Sequence, residues 1–243
     1  MASTYYWSWA ISAAVLLVLA IYLGLKTQIK SVVGILVDAR GRVSLTHLQL
    51  TLWTILILSL ISGAFWGRLL SGVDQALNFA VPSEVLALMG ISVGSAVAAT
   101  ITKSAKDNDP AASLRIAVPS VSDKPQLSQI FLLEEGEMAD KVIDITKFQN
   151  FAFTIILVVA YLAVAIDTFR AATPTTPLAA LPGLAPQFLT LLAISNAGYV
   201  AGKLPNQSGF PETSLADRNA KGVVARAAKD AAEPQPQQNE PKT

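Results

Sequence analysis

The chain has 243 residues, of which 52% are hydrophobic and only 14% charged, and its net charge is +1. Soluble domains carry about 25% charged residues, so the composition excludes an ordinary cytosolic fold, and the near-neutral balance supplies no field for nucleic acid. With no cysteine and one histidine, His47, disulfide frameworks, thiolate metal sites, cysteine nucleophiles and multi-histidine centres are excluded too.

The hydrophobicity comes in five runs. Tyr5 to Leu25 has no charge, and Leu48–Trp66, Val85–Ile101, Phe151–Ile166 and Phe188–Gly202 follow. A helix of about 20 residues spans the ~30 Å hydrocarbon core. Lipid forces each backbone to satisfy its own hydrogen bonds, so such runs read as helices. The first two meet the length outright, and the last three need small polar extensions. The first run reads as an anchor rather than a cleavable signal, because residues 1–4 hold no lysine or arginine and no small-x-small cleavage site follows. The expected fold class is an all-α polytopic membrane protein with five transmembrane helices and a small cytoplasmic β region.

Charge sets the orientation. Of the 18 lysines and arginines, all but Arg68 and Arg170 fall in segments 26–47, 102–147 and the tail after Gly202. With five spans these segments share one side. The positive-inside rule makes that side cytoplasmic and puts the N-terminus outside, as in a bacterial-type inner membrane.

The chain also echoes itself. "SLTHLQLTLWTILIL" from Ser44 matches "DITKFQNFAFTIILV" from Asp144, pairing Thr46 with Thr146, Gln49 with Gln149 and Thr54 with Thr154. Farther on, "SEVLALMGIS" from Ser83 matches "PQFLTLLAIS" from Pro186, pairing Ser92 with Ser195. The repeated unit is a helical hairpin entering from the same face twice, a parallel repeat. The expected organisation is an anchor (1–25), repeat 1 (26–103), repeat 2 (104–203) and a cytoplasmic tail (204–243), partly helical and then of disordered composition. Before each hairpin, "SVVGILVDARGRVS" and "QIFLLEEGEMADKVID" read as short strands closed by a turn, with Ser44 and Asp144 as helix caps. "SLRIAVPSV" from Ser113 is a further candidate strand.

Sites for chemistry are sparse. Glu84 and Asp167 sit at span ends, and no interior charge interrupts a helix, which argues against a proton-coupled carrier. Gln49 and Gln149 read either as a polar ring or as a hydrogen bond between hairpins. Gly90, Gly94 and Ala98 give the third helix a small-xxx-small edge. Ser92, Ser95 and Thr102 fall on the other side, either bonding carbonyls one turn back or lining a pore among several copies. Ser195 and Asn196 lie at the matching level of the fifth helix. Glu134, Glu135, Glu137 and Asp140 read as a solvated acidic turn rather than a cation site. No catalytic, cofactor or metal residues are assigned. The leading expectation is a non-enzymatic scaffold in the lipid bilayer, self-associated as a homo-oligomer and offering loops and tail to a cytoplasmic protein partner. The alternative is an oligomeric channel along the Ser92–Ser95–Thr102 face.

Overall fold

Uninterrupted apolar runs without interior proline have one economical conformation in lipid, the α-helix. The computed structural model describes residues 4–27, 29–108, 125–135 and 139–204. Among these residues there are five helices: α1 (Thr4–Lys26), α2 (Leu45–Leu70), α3 (Ser83–Asp107), α4 (Ile145–Ala171) and α5 (Pro186–Ala201). Helices α1 to α4 are 23, 26, 25 and 27 residues long and apolar enough to cross a membrane. The chain is a membrane protein. Helix α5 has 16 residues, about 24 Å of rise, so the helix alone falls short of the fifth span expected for it.

The expected strands do not form among the described residues. Gly34–Leu36 is a 3-10 turn followed by one antiparallel bridge, Val37 to Val43. Leu127–Ile130 is a second 3-10 turn, followed by one bridge between Leu132 and Ile143. The intervals are too short for a ladder, because each bridge closes on a turn and the next residue already caps a helix. In the first turn, the Asp38 carboxylate accepts from the backbone N–H groups of Arg40 (3.0 Å) and Arg42 (3.2 Å). Gly41 takes φ +76° there, a conformation glycine adopts without a Cβ penalty. Asp144 caps α4, accepting from the N–H of Thr146 at 2.9 Å and of Lys147 at 3.3 Å. Ser44 precedes α2 without a side-chain cap; its hydroxyl meets that of Thr46 instead, at 2.8 Å. The Ser113 strand and the tail lie outside the described residues.

Helix α1 packs along α2, where Ser59, Gly63 and Gly67 recur every four residues. A Cβ on Gly63 would lie 2.5 Å from the Trp9 Cα, and one on Gly67 2.5 Å from the Tyr5 ring. Small residues here let the two backbones nearly touch, the usual basis of helix association in lipid, where apolar burial drives little. Trp9 Nε1 donates to Ser59 Oγ (3.1 Å), and the Ser12 and Ser62 hydroxyls meet at 3.0 Å. Tyr5 and Trp9 are therefore packing residues, whereas Trp7 and Trp66 remain exposed.

The other four helices form a closed ring: α2 touches α3 and α4, and α5 touches α3 and α4. Trp53, Leu60, Leu88, Leu157, Tyr161 and Leu192 fill its core. At the end away from the basic segments, the two connecting loops clasp. Ala80 N–H donates to the Ala179 carbonyl (2.8 Å), and Leu181 N–H to that of Ala80 (3.0 Å). The buried Arg68 guanidinium donates to the Leu178 carbonyl at 2.6 Å. Lys203, just past α5, reaches the opposite end beside Lys103 (below). The chain from the clasp to Lys203 thus runs the length of the bundle.

Candidate functional site

At the basic end, five segments bring charges together, largely shielded at the centre and partly exposed at the edge. Glu134 is the hub. Its carboxylate lies 2.8 Å from Lys147 Nζ at the start of α4, 2.9 Å from Lys203 after α5, 3.2 Å from Lys103 near the end of α3, and 3.6 Å from Arg40. Lys103 also meets Asp38 at 2.5 Å, and Lys147 donates to the Leu132 carbonyl at 2.7 Å. Around the hub, Arg40 pairs with Asp107 (2.8 Å), Lys106 with Glu135 (2.8 Å), and Arg42 in bidentate fashion with Asp140 (2.5 and 2.6 Å). The Glu134 side chain is 9% exposed and that of Lys147 is 2% exposed. Among the described residues, Lys147 and Lys203 have no other carboxylate.

Burial alone would raise the Glu134 carboxyl, but Lys203, Lys103 and Lys147 outweigh it and hold the group far below the usual carboxylate range. One carboxylate thus serves the buried Lys147 and the largely shielded Lys203, and shares Lys103 with Asp38. The acidic turn read from sequence as solvated is, at Glu134, a buried ion centre. The plain signal in the sequence was the excess of lysine at the ends of successive helices, which requires an acid among them if they converge.

Just inside the membrane region lies a second polar cluster. Gln49 Nε2 donates to Asn150 Oδ1 (2.9 Å) and to Thr154 Oγ1 (2.6 Å). Asn150 Nδ2 donates to Asn196 Oδ1 (3.1 Å), and Ser195 Oγ to Asn150 Oδ1 (3.3 Å). The knot joins α2, α4 and α5. Gln149, aligned with Gln49 in the sequence, is exposed and is not the partner. A step of one residue turns a helical side chain by about 100°, and that step puts Asn150, with no exposed surface, where Gln149 was expected. Asn150→Ala leaves Gln49 with Thr154 alone and removes the donor from the Asn196 carbonyl oxygen. Such bonds in membranes average about 0.6 kcal/mol by double-mutant cycle, so the expected loss is about 1–2 kcal/mol in a denaturant titration in detergent. The pair Gln49→Leu with Asn150→Leu should cost less than the sum of the two single changes.

Ser92, Ser95 and Thr102 are buried on the side of α3 that faces the chain's own bundle. Ser95 Oγ donates to the Ser92 carbonyl (3.0 Å) and Thr102 Oγ1 to that of Ala98 (2.9 Å). On the outer side, a Cβ at Gly90 or Gly94 would meet nothing within 4 Å. Groups of three or more His, Cys, Asp or Glu with metal-binding geometry are absent among the described residues. Chemically, the basic end can tie loops together rigidly; its carboxylates are engaged by cations. Compared with known proteins, the chain matches no family model, no curated protein and no solved structure.

Proposed function

We propose that the protein is a non-enzymatic membrane scaffold, with its basic end in the cytoplasm of a bacterial-type cell and its N-terminus outside. In this reading α5 and its flanking residues complete a fifth crossing, because the segment that begins in the clasp ends at Lys203 beside Glu134. The two hairpins are duplicated copies. Each follows the same local plan: a 3-10 turn, one bridge, and a cap residue whose N–H donates to Leu36 or Phe131 (2.8 and 2.7 Å). The observation that carries the scaffold reading is the Glu134 centre, which fixes turns and helix ends from both halves as one platform. The channel alternative has less behind it, since the hydroxyl stripe on α3 is turned inward and already bonded.

The test is recovery of partners by cross-linking from native membranes, comparing the full chain with one lacking residues 205–243. A scaffold loses a specific partner on truncation while insertion persists; identical recovery from both overturns the reading, and conduction by the verified protein in planar bilayers would replace it with the channel. Self-association belongs to the same proposal, and the open Gly90–Gly94 edge is where it can be probed. Gly94→Leu should leave the Tm of the isolated chain unchanged and reduce the oligomer mass in light scattering. An unchanged mass removes that edge as the contact.

A further inference from the structure

A groove of about 380 Å³ runs between α1 and α2 in the half of the membrane nearest the basic end. That size lies within the ~300–1,000 Å³ range of ligand pockets. Leu16, Leu19 and Leu23 of α1 form one wall, Leu50 and Thr51 of α2 the other, and Ile35 and His47 close the basic end. Leu19 and Leu23 are about half exposed, so the groove opens sideways, toward the space lipid occupies around a membrane helix.

The charges at its mouth say what fills it. Lys26 follows Leu19 and Leu23 at helical spacing, on the same stripe of α1. Its ammonium rests 5.5 Å from the centre of the Tyr22 ring. Lys30 lies in the turn that follows α1, exposed, with its N–H donating to the Thr27 carbonyl at 3.0 Å. The Glu134 centre and its surrounding pairs engage Arg40, Arg42, Lys103, Lys106, Lys147 and Lys203 with carboxylates. Among the described residues Lys26 and Lys30 make no ion pair, and the His47 ring adds a polar group at the same level. An apolar slot in the bilayer with uncompensated cations at its headgroup end matches one kind of molecule.

We infer that this groove binds an anionic phospholipid, its acyl chain between α1 and α2 and its phosphate against Lys26, Lys30 and His47. The inference stands apart from the scaffold reading and needs only that the chain is in a membrane. Each lysine near an anionic headgroup contributes about 1 kcal/mol, or about fivefold in affinity.

The test is native mass spectrometry of the full chain released from nanodiscs of equal phosphatidylglycerol and phosphatidylcholine. The full chain should retain phosphatidylglycerol over phosphatidylcholine by at least about fivefold. Lys26→Gln with Lys30→Gln should erase that preference while total lipid retention persists. Thr51→Phe, which fills the slot without touching the charges, should lower retention of both lipids, with helicity by circular dichroism showing that the chain is folded. Equal retention of the two lipids by the unaltered chain overturns the inference, as does a preference that survives loss of both lysines. Unchanged retention in folded Thr51→Phe also overturns it, by moving the lipid elsewhere.

Discussion

Glu134→Gln is expected to be the most damaging single substitution in the described structure, lowering stability by about 3–5 kcal/mol, the usual cost of removing one partner from a buried ion group. The neutral amide fits the same space, so the loss is electrostatic. Lys147 and Lys203 would keep their positions without a counter-charge, and Lys103 would retain only Asp38. Denaturant unfolding of the purified chain in detergent would measure this. Adding Lys147→Met to Glu134→Gln should recover part of the loss, because it removes a buried charge that has become unpaired. If Glu134→Gln unfolds at the same denaturant concentration as the unaltered chain, the centre is not a stabilising unit.

The same group sets a pH dependence. The Glu134 carboxyl is held below its ordinary value in the folded chain, whereas an unfolded glutamate titrates near about 4.3. Its contribution is therefore fully present above about pH 4.3 and is lost progressively as the pH falls from there toward the folded value. Stability should drop as acid is added through that window, and Glu134→Gln should flatten the slope.

Gly63→Ala is expected to detach α1 from α2. The added methyl would sit 2.5 Å from the Trp9 Cα and 2.9 Å from its backbone nitrogen, and neither is a flexible side-chain tip that can swing away. In a helix, alanine is intrinsically favoured over glycine by about 1 kcal/mol, so propensity alone predicts a gain. Overpacking of about 1–3 kcal/mol or more opposes it and should win, because α1 must move as a body. Since the chain has no cysteine, Ser12→Cys with Ser62→Cys gives a clean reporter at the point where the two hydroxyls now meet. Disulfide formation should be efficient in that background and fall severalfold once Gly63→Ala is added. Gly94→Ala, facing open space, is the control and should leave it unchanged. Equal cross-linking in all three would refute close backbone contact at Gly63.

Much of the helical plan was legible because long charge-free runs admit little else in lipid. The four long helices follow those runs closely, and Asp144 announced its own cap. Other features depended on tertiary partners. Glu134, in "LLEEGE", looks like a surface turn until lysines from three helix ends arrive around it. Gln49 was legible as a polar residue in the wrong place, yet its partner is one residue away from the aligned position, and alignment carries no rotation about a helix axis. Ser92, Ser95 and Thr102 were legible as one face, but which side turned inward was decided by α2 and α5, which both pack against α3. The Gly90–Gly94 edge resembled a packing seam, while the seam in use is Ser59, Gly63 and Gly67, because Tyr5 and Trp9 supply rings and backbone to fill it. Among the described residues the ladder expected before α2 did not form for a local reason: Asp38 and Gly41 close the chain so tightly that one bridge exhausts the segment.

The interlocking of the halves also bears on synthesis. When α3 has left the ribosome, Arg42 still awaits Asp140, Gln49 awaits Asn150, and Lys103 awaits Glu134. A nascent chain halted there keeps Lys103 with Asp38 and Arg40 with Asp107, but leaves Arg42 and Gln49 without these partners. The second hairpin thus completes polar contacts of the first, and the two halves are expected to assemble when co-expressed as separate pieces and to be less stable when either is made alone.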